Sequence, residues 1–125
     1  MFRKVDCLRL HVADLPSALQ FYRDKLGLTL VWRRGGEEAG LLMTASETEL
    51  VLVSGSHELP ETDIMVESAD SAALEFERLG GRVVVAPFDI NIGRCAVVAD
   101  PWDNLLVLLD SSKGKLRVDS EGNVV

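Results

Sequence analysis

The chain carries its own pattern twice. Displaced by 54 residues, Val12 falls on Val66, Ser17 on Ser71, Ala18 on Ala72 and Gly27 on Gly81. In the closing strand the displacement is 56, and Leu50-Val51-Leu52 falls on Leu106-Val107-Leu108. A helix position, the glycine after it and a final strand recur together. That restricts the fold to two copies of one supersecondary unit. Identity between the copies is low, so the repeat is structural.

Periodicity defines the unit. Val5 to Ala13 alternates, with Leu8, Leu10 and Val12 on one side and Cys7, Arg9 and His11 on the other. Period two predicts a strand with one face on a core. Asp14 before Leu15-Pro16 is a helix start, an acceptor at the N-cap with proline in the first turn. Ala18, Leu19, Tyr22 and Leu26 recur at three or four, and Gly27 closes the helix. Leu28 to Arg34, Ala39 to Ala45 and Glu49 to Val53 read as strands, the last two joined by Ser46-Glu47-Thr48. Ser54 to Pro60 reads as a linker. The order then restarts: a strand from Thr62 to Ser68, a helix from Asp70 to Leu79 ended by Gly80-Gly81, then strands at Arg82 to Ile90, Arg94 to Ala99 and Asn104 to Leu109. The expectation is α+β: one domain over 1–112, built of βαβββ modules at about 4–54 and 61–110. Residues 113–125 form a tail, read as a hairpin, a dimer arm or a mobile end.

Composition narrows the class. Thirteen basic residues stand against twenty acidic ones, a net charge of −7. A binder of phosphate backbones shows the reverse balance, so no nucleic-acid partner is expected. No apolar run approaches the roughly 18 residues of a membrane helix, and Asp6 and Arg9 interrupt any leader-like stretch. Cys7 and Cys95 lie far apart with no CxxC pair, which reads as two thiols in a reducing compartment, the alternative being a single disulfide. No membrane partner and a cytoplasmic location are expected.

His11-Val12-Ala13-Asp14-Leu15-Pro16-Ser17-Ala18-Leu19-Gln20-Phe21-Tyr22, followed by Lys25-Leu26-Gly27-Leu28, resembles the opening of the vicinal oxygen chelate superfamily. This is the glyoxalase, bleomycin-resistance and extradiol-dioxygenase group. Asp100-Pro101-Trp102-Asp103-Asn104 resembles its closing signature, DPxGN, with Asp103 in place of the glycine. The resemblance spans about Val5 to Asp110. It implies that the tandem βαβββ modules curl into a cup-shaped mixed sheet, and that two protomers form a homodimer. It says little about chemistry, because this fold hosts lyases, dioxygenases, epimerases and metal-free drug-binding proteins.

Metal-dependent members take one ligand from the first and one from the last strand of each module. Carried onto this chain, those positions are Cys7, Glu61, Val51 and Val107, where His and Glu are expected. Valine has no donor atom. No cofactor is therefore expected, and the cup is read as holding a small, anionic or aromatic ligand. The alternative is a glyoxalase-like lyase or ring-cleaving dioxygenase that recruits Glu49, Glu61, His11 and Cys7 for a rearranged site of zinc, nickel, manganese or iron(II). A third idea is a metal-independent isomerase with His11 as base.

The ligand-binding candidates are Cys7, Arg9, His11, Glu49, Glu61 and Trp32. Arg9 supplies a fixed cation for a carboxylate or phosphate; the competing reading is an ion pair with Glu61, Asp63 or Glu49. His11 is either an anion contact near neutral pH or a hydrogen-bonded strand end. Cys7 is either an activated thiol beside Arg9 and His11 or packing. Glu61 is a cup carboxylate or a solvated edge. Trp32 and Trp102 are an aromatic wall, or core or interface packing. Met43 and Met65 are lining or core, Cys95 is core, and His57 is a solvated linker residue.

Overall fold

A computed structural model describes residues 1–55 and 61–125. The strands are β1 (Lys4–His11), β2 (Thr29–Arg34), β3 (Glu38–Leu42), β4 (Glu49–Val53), β5 (Glu61–Met65), β6 (Arg82–Ile90), β7 (Gly93–Ala99) and β8 (Leu105–Leu109). The helices are α1 (Leu15–Leu19), which widens into a π-helical turn over Gln20–Lys25, and α2 (Ala69–Arg78). In chain order this is βαβββ twice, the α+β class expected from the repeat. Most of the linker and His57 lie outside the described residues. No described helix is long and apolar enough to cross a membrane.

Two compact units emerge: Cys7–Pro60 with Arg117–Val125, and Met1–Asp6 with Glu61–Leu116.

In the first unit the strand order is β2-β3-β4-β1. β1 and β4 run parallel with Cys7 opposite Glu49, Arg9 opposite Val51 and His11 opposite Val53; the other pairs are antiparallel. The alternation in β1 does what the sequence indicates. Leu8 and Leu10 pack with Leu50, Leu52, Ala39 and Leu41 against Leu15, Ala18 and Leu19 of the helix. The Asp14 side chain caps that helix by accepting from the Ser17 N–H at 2.9 Å. Gly27, at φ +82°, ends the π-helical turn where a side chain would be strained. The regular helix expected from the spacing gives way to the wider turn after Leu19, which leaves Tyr22 against the core and Phe21 exposed. Met43 also packs on this core.

Residues 117–125 of the tail belong to this unit. Val118 and Val124 form an antiparallel bridge around the turn Asp119–Asn123, and Asn123 bridges Arg33 of β2. The Arg33 N–H donates to the Gly122 carbonyl at 2.7 Å, and the Val124 N–H donates to the Arg33 carbonyl at 2.8 Å.

In the second unit the order is β5-β8-β7-β6. β5 and β8 are parallel with Asp63 opposite Val107. Ile64, Val66, Val98 and Leu108 pack beneath Ala69 and Ala72 of α2. Ser68 caps α2 through the Ser71 N–H. The end of β8 is tied to the start of α2 by the buried Asp110, whose carboxylate accepts from the N–H groups of Ala69, Arg94 and Ser112 and from the Ser112 hydroxyl. Burial alone would raise this carboxyl, but the hydrogen bonds outweigh it and hold it below the usual carboxylate range.

The turn between β7 and β8 has a twin in the tail. In Asp100–Asn104 the Asp100 carboxylate accepts from the N–H groups of Trp102 and Asn104 and from the Asn104 amide. In Asp119–Asn123 the Asp119 carboxylate accepts from Glu121, Asn123 and the Asn123 amide in the same way. The fourth residue is left-handed in both, Asp103 at φ +65° and Gly122 at φ +84°.

Candidate functional site

Each unit has a sheet face turned away from its helix. In the Cys7–Pro60 unit, register places Cys7, Arg9 and His11 of β1, Glu49, Val51 and Val53 of β4, Glu38, Gly40 and Leu42 of β3, and Trp32 and Arg34 of β2 on that one side. Arg9, His11, Glu49, Glu38 and Arg34 make this side charged, although the strands that carry them are apolar on the other side. A pleated strand allows this, because alternate residues face opposite ways.

Trp32 is the floor of this face. A register irregularity between Leu30 and Trp32 brings the indole over β3. A Cβ on Gly40 would run into the indole ring, so glycine there is a requirement of close approach. The indole N–H donates to Glu49 Oε1 at 2.6 Å, and Trp32 as a whole is 8% exposed. The Arg34 guanidinium stands 5.9 Å from the ring centroid, within cation–π range. Trp32 is thus a mid-strand structural element of the face, whereas Trp102, at 80% exposed, sits in the β7–β8 turn.

Arg9 donates from Nη1 to Glu38 Oε1 at 2.9 Å, and Arg34 reaches Glu38 Oε2 at 3.5 Å. Two guanidinium groups therefore flank one carboxylate. Glu38 is a partner of Arg9 that sequence reasoning missed. Its signal was present: Glu38 opens a strand whose buried Ala39 and Leu41 lie on the other face. His11 is exposed at the strand end, and Cys7 is buried. Glu49 and Val51 share the face two residues apart, so the register places both of them there.

In the other unit the corresponding face carries Glu61, Asp63 and Met65 of β5, Val107 of β8 and Cys95 and Val97 of β7. Burial pushes the Cys95 thiol up to about 12, with further upward contributions from Asp63, Glu61 and Asp110. Cys95 is also buried, as packing in this sheet would have it.

A divalent metal fits these residues poorly. Val51, which is 2% exposed, and Val107 provide no donor atom. The register partner of Val51 is Arg9, a permanent cation. Glu49 already accepts the Trp32 indole N–H. Among the described residues, no group of three or more His, Cys, Asp or Glu side chains is placed to hold a metal ion.

The repeated βαβββ units and their turns agree with the family comparison. The chain belongs to the Glyoxalase/Bleomycin resistance protein/Dioxygenase superfamily, whose model matches residues 4–108. No curated protein matches it. Among solved structures it is similar to methylmalonyl-CoA epimerase from Mycobacterium tuberculosis, with TM-score 0.72, 20% identity and 89% of each chain covered. A methylmalonyl-CoA epimerase variant from Streptomyces coelicolor in complex with 2-nitronate-propionyl-CoA gives TM-score 0.72 at 18% identity, covering 92% of this chain and 99% of that one. A hypothetical protein from Bacillus halodurans gives 0.71 at 19%, covering 94% and 98%. At these identities the likeness is one of fold.

Proposed function

We propose that this protein binds a small anionic ligand on the sheet face of the Cys7–Pro60 unit that carries Arg9 and Arg34, and holds no resident metal. The observation that carries the reading is the pairing of Val51 with Arg9. Where metal-dependent members of the family place a ligand atom, this chain has a buried methyl pair beside a guanidinium. Arg9 and Arg34 supply charge for a carboxylate or phosphate. Trp32 supplies a rigid apolar floor, and Cys7 and His11 border the same face. Glu61 joins the set only through the family's ligand pattern.

The alternative is a lyase or dioxygenase with a rearranged metal site. It rests on Glu49, which stands opposite Cys7 in register. The valines at two of the four family positions weigh against it, because Glu49 and Glu61 alone would leave a metal short of protein ligands. The reading further includes a cytoplasmic homodimer.

The test is metal content by elemental analysis of untagged protein, followed by thermal-shift titration with zinc, nickel, manganese, iron(II) and a panel of small carboxylates and phosphates. A ligand that binds only the folded state raises Tm. Stabilisation by an anion without stoichiometric metal supports the proposal. About one tightly held metal per protomer overturns it and turns attention to Glu49 and Glu61.

A further inference from the structure

The family match ends at residue 108, yet residues 117–125 return to the strand that carries Trp32. The return is specific. Arg33, next in sequence to Trp32, uses its N–H on Gly122 and its carbonyl on Val124, at 2.7 and 2.8 Å. Gly122 also lies against the Trp32 backbone, since a Cβ on it would stand 3.8 Å from the Val31 carbonyl oxygen and 4.0 Å from Trp32 Cα. The segment is preorganised for this. Its turn has the same hydrogen-bond pattern as Asp100–Asn104, with Asp119 holding three donors and glycine in the left-handed position.

β2 needs such support. It is the outer strand of its unit, and its pairing with β3 is irregular just before Trp32. An outer strand with a register irregularity is free to shift unless its other edge is held. A shift there would carry the indole off Gly40 and away from Glu49.

We infer that the C-terminal segment Arg117–Val125 is a strap that fixes Trp32 in place and so sets the shape of the ligand-binding face. This rests on reading that face as the binding site. The strap is a positioning element: it acts through β2 and Trp32, and the ligand need not touch it.

The first test needs no variant. Arg33 donates its amide to the strap, so amide hydrogen exchange at Arg33 and Val124 reads the docking directly. Slow exchange at both supports the inference; exchange at the rate of an open chain overturns it. The second test follows Trp32 emission and acrylamide quenching in a Trp102→Phe background. It compares the full chain, Asp119→Ala, and a chain ending at Leu116. The strap predicts emission at longer wavelength and increased quenching in both variants, with far-UV circular dichroism retained. Unchanged emission and quenching in the shortened chain overturn the inference. Neither readout involves a ligand. Failure to find an anion that binds would therefore remove the functional reading and leave the strap standing, and the reverse also holds.

Discussion

Trp32 and Glu49 are joined across β3: the indole of one crosses over Gly40 to place its N–H 2.6 Å from the carboxylate of the other. The bond makes three strands interdependent at one point. It also fixes the orientation of the Glu49 carboxylate.

Gly40→Ala tests this relationship. The added methyl meets the indole ring, so the ring must leave its place and Glu49 loses its donor. Overpacking of this kind costs about 1–3 kcal/mol. Denaturant unfolding should show the loss, and Trp32 emission should change in the folded state. An unchanged midpoint with unchanged emission would refute the arrangement.

Arg9→Ala should weaken a bound anion by about 1.5–3 kcal/mol, the range for a hydrogen bond to a charged group. Calorimetric titration with the anion found by thermal shift is the measurement. Glu38→Gln separates two roles. If Glu38 competes with the ligand for Arg9, affinity rises; if it orients Arg9, affinity falls.

The twin turns make opposite predictions for one position. Asp103→Gly removes a left-handed non-glycine residue and should stabilise by about 0.5 kcal/mol after the added chain entropy of glycine is counted. The ion pair lost with Arg82 is exposed on both sides and contributes little. Gly122→Ala should destabilise by about 1 kcal/mol for the same conformational reason. Thermal melts of the two variants should move in opposite directions.

Asp110 gives the protein an acid limb. Its carboxyl lies below the ordinary range when folded, so it binds a proton more readily in the unfolded chain. Its contribution is therefore present above the unfolded carboxyl value and is lost as pH falls through the lower folded one. Asp110→Asn should cost about 1–3 kcal/mol at neutral pH, because an amide cannot accept from all four donors. It should also flatten this part of the acid dependence in urea midpoints measured from pH 7 downward.

The repeat, the strand alternation and the helix signals carried most of the fold. Glycines and caps act locally, so Asp14, Gly27 and Gly80 mark real boundaries. The π-helical turn was not legible, since Ala18, Leu19, Tyr22 and Leu26 suit a regular helix as well. The face itself was readable from Cys7, Arg9 and His11, because one strand fixes its own alternation. Its cross-strand partners were not. Glu38 meets Arg9, and Trp32 meets Glu49, only through a pairing register that depends on the whole sheet and on a local irregularity in β2. The return of the tail to Arg33 joins residues too distant in sequence for any local signal to link them.

The strap also bears on how this protein behaves at high concentration. An outer strand with open backbone groups is a template for another chain, and ordered aggregation begins there. Gly122 and Val124 occupy the N–H and carbonyl of Arg33 near the end of just such a strand. The outer strand of the other unit, β6, is protected differently: Pro87 removes a donor, and its pairing with β7 shifts register twice. Loss of the strap would thus open a strand edge, and a shortened chain would be expected to precipitate on storage under conditions where the full chain stays in solution.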